Sequence, residues 1–402
     1  MTSIDVLGAS TVLPTRSRMG TTYPGGCHPR AMSTVLQHGV DRERLLRTFL
    51  DLVAIDSPTG QEEAIGLDLE ARFTDLGCAV RRDRVGNLVA VRAGDPARTI
   101  LVSTHMDTAG TDRGIVPIVG ADGTIRTDGS TILGADDKSG IAGCLEVLTL
   151  LREHPDETVP TIEFVVTVGE ERGLVGSRQL DVELLEASHG FVLDTAGVMG
   201  SITYWSPTSV YLTITFVGRK AHAGVEPEKG INAVQVAAEA VAGMPLGRID
   251  EETVANIGTF TGGEARNIVP GTAVLEGMAR SHDQGKLDRQ LQAMRYACQL
   301  AADRHDATVD FGVETIYQTY KIAEDAVPYR EAAAAIRSVG LDVVPRKSGG
   351  GTDGNFFNAK GIPCVALPTG MVDEHATSEH IAIDDMVLAC RVLLAIVTGA
   401  PR

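Results

Sequence analysis

Four short stretches of the sequence bring histidines and carboxylates close enough to hold a cation or move a proton. His105-Met106-Asp107 sets an imidazole and a carboxylate two residues apart. On an extended segment both project to one face, and the carboxylate can fix the imidazole tautomer. Taken alone, such a pair is more often a structural contact than a ligand. Asp136-Asp137 precedes an apolar-periodic segment, where an N-cap with a dipole-matched acid accounts for both residues. Glu170-Glu171 is harder to explain in this way, because adjacent carboxylates closing an apolar run repel each other, and burial raises both pKa values unless a cation lies near. Neighbours on a strand point to opposite sides, so one can ligate a metal while the other handles a water's proton, as a metal-assisted hydrolase requires. A solvated strand end is the competing account. Asp194, after Phe191-Val192-Leu193, and His375, within the stretch from Asp373 to His380, each fit a surface loop when taken singly. Taken together, two histidines and three carboxylates suffice for two divalent ions, with one carboxylate bridging and water filling the open positions.

These residues fall where strands stop or helices begin. Leu45, Leu46, Phe49, Leu50 and Val53 recur at helical spacing, and a second amphipathic helix is predicted from about Glu62 to Leu76. Strands are predicted at Val85 to Val91 and at Thr99 to Ser103, the latter leading into His105. A helix follows Asp137 as far as Arg152, the apolar run Ile162 to Val168 leads into Glu170, and Phe191 to Leu193 leads into Asp194. In an open α/β sheet, ligands bind at the carboxyl ends of the strands. The pattern then changes to half-exposed alternation from Val210 to Val217. A helix near Asn232 to Ala242, strands near Thr253 to Phe260 and Ala273 to Ala279, a helix from Lys286 to Arg304 and a strand from Thr308 to Val313 complete a β-α-β-β-α-β unit. The predicted fold is therefore α/β, a discontinuous catalytic domain (41–206 and 316–402) with a mixed sheet flanked by helices, plus an inserted ferredoxin-like α+β domain (207–315).

With 402 residues the chain can bury a large core, and no apolar run approaches the roughly 18 residues needed to span a membrane. The net charge of −17 opposes a broad grip on a phosphate backbone, so neither nucleic acid nor membrane is expected as a partner. Aromatics make up only 4% of the residues, which argues against an interface of stacked aromatic anchors, whereas the acidic excess is compatible with cation binding. The six cysteines lack C-x-x-C spacing and read as reduced, mostly buried thiols of a cytoplasmic protein. Residues 1–40 form a Gly-, Pro- and Arg-containing leader with no secretory apolar core. It reads as a disordered extension, or as sequence upstream of a start at Met32, in preference to a targeting peptide.

The order and context of these clusters resemble the M20 metallopeptidases, and within them the peptidase T-like branch. The stretches that carry the likeness are Ser103 to Thr108, Leu133 to Gly140, Gly169 to Ser177, Asp194, Ala221-His222-Ala223-Gly224, Gly349 to Asn355, and His375 through Glu379. The resemblance implies two divalent metal ions per chain, zinc first and cobalt or manganese as alternatives. His105 and Asp194 would hold one ion, Glu171 and His375 the other, with Asp136 bridging. Asp136 is preferred to Asp137 because related members keep only the acid directly after the small residue, here Ala135. His375 is preferred to His380 because the family's spacing is His, three residues, then Glu, which Glu379 satisfies. Asp107 would orient His105, and Glu170 would be the general base, taking a proton from the attacking water and returning it to the leaving amine. His222 would stabilise the oxyanion in the partner subunit's site, making the inserted domain both lid and dimerisation surface of a homodimer. Asn267 and Arg280 resemble contacts to a substrate carboxylate.

The expectation is a dinuclear zinc exopeptidase acting on short peptides, of the di- or tripeptide aminopeptidase kind. An amidohydrolase or carboxypeptidase, acting on N-acyl amino acids or C-terminal residues with the same metals, is the alternative. A non-catalytic binding protein on this scaffold is a minor one, since such a protein would be expected to lack a ligand or the base. The glycine stretch Ser348 to Gly354 lacks the Gly-Lys-Ser/Thr helix start of a phosphate loop, and reads instead as backbone lying close to a substrate.

Overall fold

Four parallel strands, Pro160–Thr167, Asp95–His105, Gly190–Val192 and Cys364–Ala366, lie side by side at the centre of a nine-stranded mixed sheet. The computed structural model describes residues 39–399, and the expectations for the leader, including a start at Met32, lie outside the described residues. Antiparallel strands Leu88–Arg92 and Ala79–Arg82 extend the sheet on one side. Ser201–Ser206 and Tyr320–Lys321 extend it on the other, and Val344–Lys347 pairs in parallel with Ser201–Ser206. The central strands read as continuous apolar runs because both faces of the sheet are covered. Val102, Phe164 and Val166 turn to one face and share a core with Leu45, Phe49, Leu148 and Leu393 from helices Arg42–Val53, Ala135–Glu153 and Ile383–Thr398. Leu101, Val165 and Val192 turn to the other face, with Phe357 from helix Gly354–Ala359.

Helix Ala135–Glu153 packs against both Arg42–Val53 and Ile383–Thr398 and is buried along almost its whole length. Its buried acid, Glu146, is satisfied by Arg44 Nε at 2.6 Å and by the Asp41 amide at 3.0 Å. Gly140 allows this helix to approach the segment that carries Asp194, since a Cβ at that position would lie 2.7 Å from the Leu193 carbonyl oxygen.

Between Ser206 and Tyr320 the chain builds a second, antiparallel sheet in the order Gly247–Arg248, Thr253–Gly262, Thr272–Ser281, Thr208–Val217, Thr308–Tyr317. Helices Ala233–Gly243 and Gln284–Arg304 cover it, giving the ferredoxin-like β-α-β-β-α-β order with its own core of Leu212, Ile214, Phe216, Val236, Leu275 and Met294. The opposite face is uncovered, so Leu212, Ile214 and Phe216 are buried while Tyr211, Thr213 and Val217 are exposed. That is the alternation expected of a sheet buried on one side.

Two departures from the sequence reading have clear causes. The strand expected from Val85 begins at Leu88, because Asp83 Oδ1 accepts the amides of Val85, Gly86 and Asn87 and holds them in a turn. Ala79–Arg82, just before it, is a largely exposed edge strand with no apolar run to mark it. A small four-stranded sheet was also not anticipated. In it Met371–Val372 pairs with His380–Ala382, and that strand pairs with Thr124–Arg126. The loop of this hairpin carries His375 and Glu379.

Candidate metal centre

Three of the four parallel strands deliver an acidic or histidine cluster at their carboxyl ends. His105 closes Asp95–His105, Glu170 and Glu171 follow Pro160–Thr167, and Asp194 follows Gly190–Val192. Asp136 arrives from the start of the buried helix and His375 from the hairpin loop.

The five expected ligand side chains converge. Asp136 Oδ1 lies 2.9 Å from His105 Nε2, and Asp136 Oδ2 lies 3.2 Å from His375 Nε2, so its two oxygens face the two histidines. Glu171 Oε2 is 2.9 Å from His375 Nε2, and Asp194 Oδ1 is 3.8 Å from His105 Nε2. Potential ligand atoms of His105, Asp136 and Glu171 all lie within 4.8 Å of one another, as do those of His105, Glu170 and Asp194. Asp137 plays a different part. The peptide joining it to Asp136 is cis, and its carboxylate turns away to accept the amides of Gly140 at 3.2 Å and His105 at 3.3 Å. The capping role foreseen for the pair therefore falls to Asp137, which leaves Asp136 free to face the histidines.

Glu170 and Glu171 do not alternate on a strand as the sequence suggested. They lie in a 3-10 turn after the left-handed Gly169, and both still line the same cavity. That turn is held by Asp107, whose carboxylate accepts the amides of Glu170 at 3.0 Å and Glu171 at 3.3 Å and the Thr59 hydroxyl at 2.8 Å. The His105 ring is oriented by the Asp107 backbone carbonyl, 3.0 Å from Nδ1, with the Asp107 carboxylate further off at 3.5 Å. Asp107 thus orients His105 chiefly through its main chain.

The electrostatics of the cluster call for added positive charge. Burial raises the carboxyl of Glu170 well above its ordinary range; His105 opposes the shift, and Asp353, Glu171 and Asp136 add to it. Asp194 is raised in the same way, by burial and by the charges of Glu170 and Asp136. Asp136 is held below its ordinary value, its hydrogen bonds to His105 and His375 outweighing a large burial penalty. Conversely, His375 is pushed up to about 11 by its hydrogen bonds to Asp136 and Glu171. For His105, burial favours the neutral ring, yet Asp107, Asp136 and Asp194 raise it overall. Glu171 Oε1 is buried with no hydrogen-bond partner among the described residues. A nitrogen- and oxygen-rich donor set, mutually repelling carboxylates and an unsatisfied carboxylate oxygen together fit divalent cations.

The carboxylates of the cluster line a cavity of about 490 Å³, whose other wall is formed by Arg280, Arg346, Tyr317 and the backbone from Ser348 to Gly351. Arg280 Nη1 donates to the Gly349 carbonyl at 3.1 Å. The expected contact Arg280 is thus in the cavity, whereas Asn267 and His222 are exposed on the inserted sheet's loops and do not line it. The two are neighbours there, joined by a bridge between His222 and Ile268. His380, rejected on spacing, bonds to the Ser378 carbonyl outside the cluster.

Three contributors escaped the sequence reading. Glu379, used there only for spacing, accepts the amides of Leu133 at 2.8 Å, Gly134 at 2.7 Å and Asp136 at 3.0 Å. Asp353 is buried beside Glu170 and is bonded by the Thr167 hydroxyl. Arg346 stands two residues before the glycine stretch, and that proximity was the one available signal.

A mixed sheet with ligands at the carboxyl ends of its parallel strands, and a cluster of buried carboxylates and histidines in a cleft, define a metal-dependent hydrolase. Residues 101–399 match the model of peptidase family M20/M25/M40, and the chain belongs to that family. Among its relatives, the uncharacterized protein YqjE of Bacillus subtilis is 39% identical over 372 residues, spanning 90% of this chain and all of its own length. A crystal structure of a tripeptidase from Staphylococcus aureus is 38% identical and superposes with a TM-score of 0.85 over 89% of this chain and 98% of that one. The aminopeptidase PepT from Bacillus cereus, also 38% identical, gives 0.80 over the same shares. The protein is therefore a peptidase of a metal-dependent family. Among the described residues no helix is long and apolar enough to cross a membrane.

Proposed function

We propose that the protein is a cytoplasmic dinuclear zinc exopeptidase that removes the amino-terminal residue of short peptides, tripeptides foremost. The observation that carries the reading is Asp136, whose two carboxylate oxygens face two different histidines inside a cluster of buried acids. The residues would hold one ion through His105 and Asp194 and a second through Glu171 and His375, with Asp136 shared. Such ions supply Lewis acidity, polarising the scissile carbonyl and lowering the pKa of the attacking water. Glu170, buried in the cavity beside the cluster, would take that water's proton and pass it to the leaving amine. Its raised pKa suits a group that must hold the proton between the two steps. Arg280 lines the same cavity, where its charge would anchor the substrate's carboxylate. The tripeptidase and aminopeptidase names of the two structural relatives support the same substrate class.

His222 is exposed, lies away from its own chain's cavity, and has Asn267 beside it. The strand Thr253–Gly262 pairs on its outer side only at Val254 and Ala255, which leaves the rest of that edge open. Both facts support a homodimer in which the inserted domain lends His222, and with it Asn267, to the partner's site.

The deciding experiment uses zinc-loaded protein with a tripeptide, its N-acetylated form and the Glu170→Ala variant. The expected result is rapid cleavage of the free tripeptide, none of the blocked one, and loss of at least a thousandfold in kcat for Glu170→Ala with two metals per chain retained. Cleavage of the acetylated peptide would favour the amidohydrolase reading, and an active Glu170→Ala enzyme would remove Glu170 as the base.

A further inference from the structure

Two arginines, Arg280 and Arg346, line the cavity, and a substrate's terminal carboxylate needs only one. Arg346, on strand Val344–Lys347, sends its guanidinium across Gly197, where a Cβ would lie 2.5 Å from Arg346 Nη1 and 3.3 Å from the Ser201 hydroxyl. Gly197 has φ of +131°, and its missing side chain is the space the guanidinium occupies. Arg346 is register-paired with Thr203, and Val344 with Ser201, so the Ser201 and Thr203 side chains share a sheet face with that of Arg346. Thr195, one residue after Asp194, lines the same cavity as Arg346.

Arg346 Nη1 and the hydroxyl oxygens of Thr195, Ser201 and Thr203 are all buried, and none has a hydrogen-bond partner among the described residues. Ser201 and Thr203 are each 1% exposed and Thr195 7%. Buried donors left unsatisfied are costly, and an unpaired guanidinium is chemically suited to an anion. Arg346 and Thr195 line the cavity, Ser201 and Thr203 are not among its lining residues, and Arg280, also in the lining, is tied to Gly349 in the glycine stretch. The cavity therefore offers two separate cationic positions, and a neutral-side-chain peptide has only one carboxylate to offer them.

We propose that Arg346, with Thr195 beside it in the cavity lining, is a specificity site for an acidic side chain of the peptide substrate. The proposal rests on the peptidase reading above and deepens it, Arg280 keeping the terminal carboxylate. An Asp or Glu side chain would give the guanidinium that Arg346 brings to the cavity a charge-assisted hydrogen bond. A Gln or Asn side chain offers a single uncharged oxygen and directs an NH2 group at donors.

The test compares tripeptides containing Glu with the same peptides containing Gln at each position, using metal-loaded wild type, Arg346→Met and Arg346→Lys. The expected result is a Glu over Gln preference of about tenfold or more in kcat/KM at one position, falling to near one in Arg346→Met and partly kept in Arg346→Lys. No preference in wild type at any position, or an unchanged preference in Arg346→Met, would overturn the proposal. A readout independent of turnover is calorimetric titration of the metal-free protein with glutarate and with glutaramide. Glutarate should bind more tightly to wild type by about tenfold, and Arg346→Met should lose that difference while Arg280→Met keeps it. Equal binding of the two probes to wild type would overturn the specificity site even in a protein that cleaves no peptide, and loss of all peptide cleavage with glutarate discrimination intact would count against the peptidase reading alone.

Discussion

Glu379 offers a stringent test of how the site is held, because it touches neither histidine of the cluster and yet fixes the main chain that presents Asp136. Its Oε2 accepts two amides, from Leu133 and Gly134, and its Oε1 accepts the amide of Asp136 at 3.0 Å. All three donors point at one buried carboxylate, so the charge-assisted geometry uses both oxygens as acceptors. In Glu379→Gln one oxygen can still receive Leu133 and Gly134, but the new NH2 group then faces the Asp136 amide, donor against donor. One hydrogen bond to a charged group is lost, worth about 1.5–3 kcal/mol, and a buried N–H is left unpaired. At 1.4 kcal/mol per factor of ten, shifting that cost onto the Asp136 position weakens divalent metal binding by about 10- to 100-fold, the range expected when an outer partner of a ligand is altered. Equilibrium competition with a zinc chelator measures it, and circular dichroism confirms the fold. Zinc affinity within a factor of two of wild type in a folded Glu379→Gln protein would refute the argument that Glu379 positions the bridging acid.

Two further outcomes follow from the same geometry. Burial raises the carboxyls of Glu170, Glu171 and Asp194, so without metal these groups keep protons to higher pH than exposed acids do. Metal loading must displace those protons, and zinc affinity, followed by chelator competition, should fall steadily as pH is lowered from 8 to 5, with proton uptake when the metal is removed; an affinity flat across that range would contradict it. Mixing His222→Ala chains with inactive His105→Ala chains should restore activity, since one site of each hybrid dimer would carry both defects and the other neither, whereas no recovery in a mixture shown to exchange subunits would place His222 outside catalysis.

The strand-end positions of His105, Glu170 and Asp194 were legible because a parallel strand buried on both faces leaves a continuous apolar run, and the run's end marks the ligand edge of the sheet. The inserted ferredoxin-like unit was equally legible, since its one-sided burial imposes alternation on Val210 to Val217. What escaped detection depends on contacts distant in sequence. The hairpin that lifts His375 toward Asp136 is built from two- and three-residue strands, too short for periodicity to register. The turn at Glu170 depends on Asp107, more than sixty positions earlier. Arg346 had no patterned neighbours, and its significance comes from the absence of a side chain at Gly197, which only the folded chain brings beneath it.

The inserted sheet leaves and rejoins the central one through a narrow neck. Tyr320 pairs with Ser206, and inside the insertion Tyr317 pairs with Ser209, so the outgoing and returning chains run as neighbours through the junction. Excising everything between Ser206 and Tyr320 would thus leave two ends already juxtaposed as in a hairpin, closable by a two-residue turn of the Asn-Gly type. The insertion is in this sense a detachable cassette. An engineered exchange at this seam would leave the registry of the sheet beneath intact while removing Arg280 and Tyr317 from the cavity wall.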